Sequence, residues 1–115
     1  MRPAVILLIL LPFVTMASER EEYLWKKRVL MIAAPSLTDP LYRTQAAELI
    51  AAWEGLAERD FAVRTRMNSS AFSVVLIGKD GGEKLRRATP LSPKELFAIV
   101  DAMPMRQAEM REGER

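Results

Sequence analysis

The sequence predicts a small α/β domain, ordered β-α-β-β-β-α, with its helices packed on a four-stranded mixed sheet of strand order 2-1-3-4. Three observations carry that prediction. The run Arg28 to Ala34 is apolar without alternation, as a central strand covered on both faces should be. Apolar residues then recur at three- and four-residue steps from Tyr42 to Ala57, the spacing of an amphipathic helix. Finally, Asp80-Gly81 separates two strand-like runs and is a pairing that hairpin turns favour. A right-handed crossover makes the first two strands parallel neighbours, and the hairpin adds two antiparallel strands on the other side.

The chain opens on MRPAVILLILLPFVTMA, which stands apart from that domain. Arg2 supplies a positive start, Val5 to Val14 is apolar, and Thr15-Met16-Ala17 places small residues at the −3 and −1 positions of a cleavage site. Residues 1–17 are therefore expected to be a signal peptide cut after Ala17, with the remainder exported to the periplasm or beyond the cell. A retained anchor is the alternative, but a span needs about 20 apolar residues, and this run is shorter and carries Pro12. Membrane contact is expected only through this leader, before cleavage. No Cys follows it, which excludes a lipid-anchored lipoprotein.

Cleavage leaves 115 − 17 = 98 residues, enough for one core, with 16 basic and 15 acidic side chains once Arg2 is gone. That balance lacks the basic excess of a nucleic-acid binder, so no nucleic acid is expected as partner. The chain contains neither Cys nor His. Disulfides, thiolate nucleophiles, imidazole bases and the usual zinc sites are therefore excluded from it. No metal and no cofactor are implied; only carboxylate, Lys or Tyr chemistry remains.

In chain order, residues 18–27 are expected to be a flexible lead-in. Tyr23 and Trp25 within it either cap one end of the core or form an exposed contact patch. The domain itself is placed at residues 28–112. After the first strand ends at Pro35, Thr38-Asp39-Pro40 combines an N-capping type with Pro at the first helical position. The helix it starts should run about five turns, with Trp53 as its large core anchor, Gln45 and Glu48 away from the core, and Gly55 tolerated near its end.

Phe61 to Met67 alternates strictly, with Phe61, Val63, Thr65 and Met67 on one face and Ala62, Arg64 and Arg66 on the other. Asn68-Ser69-Ser70 is a loop, and Phe72 to Ile77 a further apolar strand. In VVLIGKDGGEKLR, the glycines lead into a strand, not into the helix that a phosphate-binding loop requires. Asp80, Gly81 and Gly82 thus form a hairpin turn with positive φ at its centre, and Glu83 to Ala88 returns as an edge strand. Ser92-Pro93-Lys94-Glu95 reads as a capping box, with Leu91 and Leu96 as the hydrophobic staple. Leu96, Phe97, Val100 and Met103 make the buried stripe of this helix. Pro104 ends or kinks it, Met105 to Glu112 continues as a short charged helix, and residues 113–115 form a disordered tail.

The blocks RVLMIAAPSLTDPLYRTQ, FSVVLIGKDGGEKLR and AIVDAMPMRQAEM resemble the signatures of a bacterial exported family known as a domain of unknown function. That family is related to the peroxiredoxin-like domains of vertebrate extracellular sushi-repeat and coiled-coil-domain-containing proteins, and the likeness covers nearly all of the mature chain. It implies a thioredoxin-like fold. It implies no thiol chemistry here, since the positions nearest the redox CxxC are Leu37 and Pro40. The peroxiredoxin-like Pro, Thr and Cys find only Pro35 and Thr38, and the position of the usual cis-proline corresponds roughly to Phe72. The helix that usually joins the second and third strands is reduced to Asn68 to Ala71, which should leave the face bearing Arg64 and Arg66 less covered.

Two function classes follow. One is an exported, redox-inactive thioredoxin-like binding or adaptor domain. Its candidate anion- or partner-binding residues are Arg64, Arg66, Lys84, Arg86 and Arg106, and its candidate partner contacts are Met105 and Met110. An envelope protein or an anionic ligand is the expected class of partner. The bland reading of these edge-strand charges, with Arg87 and Lys79, is that they discourage strand-to-strand aggregation. The other class is a small envelope enzyme using carboxylate or Lys chemistry, for which Asp39, Asp80 and Asp101 are the nearest acids. An N-cap, a turn and a solvated helix position explain all three. Thioether binding of copper(I) by Met67, Met103, Met105 and Met110 lacks any His or Cys to support it.

Overall fold

A computed structural model describes residues 21–113. The leader, residues 1–17 with its cut after Ala17, lies outside the described residues. The strands are β1 (Arg28–Ala33), β2 (Phe61–Arg66), β3 (Ser73–Ile77) and β4 (Glu83–Arg87). The helices are α1 (Pro40–Ala51), α2 (Trp53–Glu58), α3 (Pro93–Asp101) and α4 (Pro104–Gly113). The sheet has the expected order, β2-β1-β3-β4, with β1 and β2 parallel and the other pairs antiparallel.

Alternation along each strand divides the apolar residues between two faces. Leu30 and Ile32 of β1, Phe61 of β2, and Val74 and Leu76 of β3 meet Leu49, Leu56, Leu91, Leu96 and Val100 in the main core. Each such side chain contributes roughly 1.5–3 kcal/mol by leaving water. The opposite face carries only a minor cluster of Val29, Val75 and Ile77, against which Tyr23 and Met31 pack. None of α1 to α4 contributes a residue to that cluster.

Helix α1 starts as expected, with the Asp39 carboxylate accepting from the Tyr42 N–H at 3.1 Å and Pro40 at the first helical position. It does not run five turns. The backbone leaves helical geometry at Ala52 (φ −109°, ψ 21°), and a separate helix begins at Trp53. In an unbroken helix Leu49, Trp53 and Leu56 would share one stripe; the jog keeps Leu49 and Leu56 in the core and turns Trp53 outward, 57% exposed. Trp53 is thus no core anchor, and Ile50, expected on the same face, is 75% exposed. Gly55 sits mid-helix because a Cβ there would lie 2.6 Å from the Phe97 ring. Gln45, expected away from the core, is buried, donating to Leu91 O at 2.9 Å and accepting from Leu91 N at 2.7 Å.

The β3–β4 turn is a hairpin with a different loop from the one expected. Gly81 N–H bonds to Gly78 O and Gly78 N–H to Gly82 O, so Lys79 and Asp80 are the turn's centre, and Gly81 alone takes positive φ, 84°. This is a four-residue turn closed by a glycine bulge. At α3, Ser92 accepts from Glu95 N–H, but the reciprocal half of the capping box is absent because the Glu95 carboxylate is taken by Arg87. The staple pair Leu91 and Leu96 is fully buried. From Glu21 to Lys27 the lead-in is not loose: a short helical turn sets Tyr23 on the minor cluster, and the Trp25 N–H donates to Lys79 O at 2.6 Å. Tyr23 and Trp25 therefore divide the two expectations, one packed and the other 62% exposed.

Candidate functional site

The ladder register brings residues of all four strands into one row on the face away from the core. Arg64 pairs with Met31, Met31 with Val75, and Val75 with Arg86. The next row places Arg66 beside Ala33, and Ala33 beside Ser73. Together Met31, Ala33, Ser73, Val75 and Ile77 floor a shallow groove of about 130 Å³, with Arg66 and Arg86 at its two sides. Edge strands β2 and β4 are thus linked by an open face, which is what a single patch of their charges requires.

The charges on this face are not equivalent. Arg66 makes no side-chain hydrogen bond or ion pair among the described residues. Arg64 donates to the Tyr23 hydroxyl and lies 5.2 Å from the centre of that ring, while its Nε is buried without a partner. Arg86 is held by Glu83 at 2.7 Å in an exposed pair, which is weak in water. The Glu83 carboxylate raises the Arg86 pKa through that hydrogen bond. The groove therefore offers two guanidinium groups over an apolar floor, one of them without a carboxylate among the described residues.

The remaining candidates lie elsewhere. Lys84 pairs with Asp80 at 2.8 Å, and that hydrogen bond, with one from Gly82 N–H, lowers the Asp80 pKa. Asp80, Gly81 and Gly82 serve the turn. Arg106 is only 5% exposed, bonded to Asp101 at 3.0 Å and to Glu58 O at 3.3 Å. It is therefore no surface contact, because its charge is spent inside the domain. Met105 is exposed, Met110 half-buried, and Met67 and Met103 pack against the main core. Packing explains Met67 and Met103, whereas Met105 keeps the exposure that a partner contact requires.

Sequence reasoning missed the cluster that holds Arg106. Arg28, 1% exposed, donates to both Glu109 oxygens at 3.2 Å and to Arg59 O at 2.9 Å. Lys79 reaches Glu109 at 2.7 Å and Asp60 at 2.8 Å, and Arg59 forms a two-pronged pair with Asp101 at 2.9 Å. With Arg106 and Glu58 added, four cations face four carboxylates. The cluster is electrically closed. Burial pushes Glu109 up, but hydrogen bonds and charge from Arg28 and Lys79 outweigh it and hold its carboxyl below the usual range. Lys79 is likewise pushed down by burial and held above its usual value by Asp60 and Glu109. Arg59 lowers Asp101 first by hydrogen bonding, against burial, with help from Arg106.

A pocket of about 350 Å³ borders this cluster, with Arg28, Lys79 and Lys84 among its walls and Met103, Pro104 and Met105 on its apolar side. All three cations already have carboxylate partners, so it offers no spare charge to an anion. The charged forms of Lys79, Asp101 and Glu109 are the favoured ones, the reverse of what a general acid or a neutral lysine nucleophile needs.

Comparisons with known proteins agree on fold and family. The family described as "Domain of unknown function (DUF4174)" matches residues 20–69 and 63–109. The rat and human sushi repeat-containing proteins SRPX are each 26% identical over 125 aligned positions, covering 84% of this chain. The match spans 27% of those relatives' own length. Reduced 2-Cys peroxiredoxin from Plasmodium vivax superposes with a TM-score of 0.62 at 13% identity, covering 76% of this chain and 83% of the other. That likeness establishes a thioredoxin-like fold of the peroxiredoxin kind, in a chain without cysteine.

Proposed function

The chain belongs to the family described as Domain of unknown function (DUF4174), and from that premise we propose that it is an exported, redox-inactive binding or adaptor module whose contact surface is the open sheet face. The observation that carries this reading is the groove in which Arg66 and Arg86 flank an apolar floor to which α1 to α4 contribute no residue. Such a surface suits an amphipathic anion or an acidic protein surface: guanidinium groups supply charge and directional donors, and the floor supplies burial. Redox inactivity follows from chemistry, because thiol exchange needs a thiolate and this sequence has none. Export rests on the leader pattern of residues 1–17. Mass measurement on the protein recovered from its producing cell should find Ser18 as the first residue; an intact Met1 would remove export with cleavage from the proposal.

Thermal unfolding of the full chain in the presence of glucuronate, inositol phosphates and short-chain phosphatidylglycerol tests the binding face. An anion at 100 times its dissociation constant adds about 2.7 kcal/mol, a shift of several degrees for a domain of this size. Charge reversal at both Arg66 and Arg86 should abolish the shift without moving the unliganded midpoint. A shift that survives the double reversal, or none across the series, overturns this reading of the face.

A further inference from the structure

Edge strand β2 presents two different surfaces to anything that lies alongside it. Toward the helices, Val63 and Thr65 join Tyr42, Leu49, Ile50 and Trp53 around an apolar groove of about 200 Å³. Toward the open face stand Arg64 and Arg66. Among the described residues the strand between them has β1 on one side only, so its outer edge is unpaired there.

The hydrogen bonds fix which backbone groups are free. Arg28 N–H bonds to Asp60 O and Ala34 N–H to Arg66 O, so the parallel ladder uses the N–H and C=O groups of Ala62, Arg64 and Arg66. Those of Val63 and Thr65 point outward. An added strand would thus find backbone partners at the residues whose side chains line the apolar groove, and alternating side chains of its own would meet the groove and the arginines in turn.

We infer that β2 receives an extended segment of another polypeptide, alternating acidic and apolar residues, with its apolar side chains under Ile50 and Trp53 and its carboxylates against Arg64 and Arg66. Charge selects this occupant. A second copy pairing through its own β2 would set arginine against arginine, which is destabilising across a ladder. An acidic strand neutralises Arg66, which has no carboxylate among the described residues. The large apolar exposure of Ile50 and Trp53 then has a cause, since the incoming strand covers them. This inference rests on the open face being a binding surface and adds the partner's class and its geometry.

The test uses the full chain carrying Trp25→Phe, so that Trp53 is its sole tryptophan, and a blocked peptide of about eight residues alternating Glu and Val. Expected are saturable binding, a blue shift of Trp53 emission, and affinity about tenfold weaker with Arg66→Glu or Ile50→Glu, a loss of about 1.4 kcal/mol. Methylating the backbone nitrogens of either all the Glu or all the Val residues separates the peptide's two edges without touching the protein. One series should abolish binding and the other preserve it. Equal binding of both methylated series, or of a peptide with the same residues in two blocks, overturns strand addition while leaving an anion-binding face in place. Self-association of the chain that the peptide does not displace, or no binding of the alternating peptide where the anion shifts of the open face are seen, overturns the inference alone.

Discussion

Lys79 Nζ lies 2.7 Å from a Glu109 carboxylate oxygen that also accepts from Arg28, so one acid on the last helix joins the β3–β4 turn to the start of the first strand. The three sequence blocks that carry the family likeness each contribute to this contact: Arg28 from the first, Lys79 from the second, and Arg106 with Glu109 from the third. Their physical role is to hold three distant pieces of chain together. Glu109→Gln keeps shape but replaces one of two acceptor oxygens with a donor NH2 and removes the charge, leaving Arg28 and Lys79 enclosed with less compensation. It should lower stability by about 3 kcal/mol in urea unfolding, in line with breaking other enclosed ion pairs.

The same cluster sets how stability depends on pH. Asp101 and Glu109 ionise at lower pH in the folded chain than their ordinary values of 3.8 and 4.5. Between folded and unfolded values the unfolded chain holds more protons, so stability rises with pH there. The contribution is complete above the ordinary carboxylate range and is lost as pH falls through the depressed folded values. Lys79, raised above 10.5, acts at the other end: its contribution is complete below 10.5 and lost as pH rises through the folded value. Urea midpoints measured across the acid range should fall more steeply for the native chain than for Asp101→Asn or Glu109→Gln.

Gly55→Ala sets two effects against each other. Helix propensity favours Ala by about 1 kcal/mol. The added Cβ would stand 2.6 Å from Phe97, whose ring is held by Arg59 stacked 4.0 Å from its centre. Overpacking of that kind costs about 1–3 kcal/mol, so net destabilisation should appear in thermal unfolding.

Trp53→Ala separates an exposed tryptophan from a core one. Removal from a core costs about 3–5 kcal/mol, whereas at a site this exposed the midpoint should change by less than about 1 kcal/mol. A large loss would return Trp53 to the core and with it the unbroken helix.

The strands, their order and both helix starts were legible because each is written locally: an apolar run, strict alternation at Phe61 to Met67, Asp39-Pro40 and Ser92-Pro93 at the caps. The short Asn68 to Ala71 connection also agrees with a face behind Arg64 and Arg66 to whose cluster none of α1 to α4 adds a residue. The break at Ala52 was not legible. Ala51-Ala52-Trp53 contains no helix breaker, and the jog serves the packing of Leu56 and Gly55 on distant residues. Periodicity shows which helical residues share a side and says nothing of what that side has to pack against, hence the error at Trp53. The burial of Arg28 and Arg106 escaped for a related reason, since Arg28 meets acceptors 31 and 81 residues along the chain. A charge looks solvated in a sequence until its counterion is placed.

That last separation bears on how the protein comes into being. Arg28 opens β1, and its counterion, Glu109, lies 81 residues further along the chain. Until α4 docks, the start of the sheet's central strand carries a cation without its answering charge. Completion of the sheet is thereby tied to the docking of α4, and a chain cut before Pro104 should lose stability at its first strand as well as at its end.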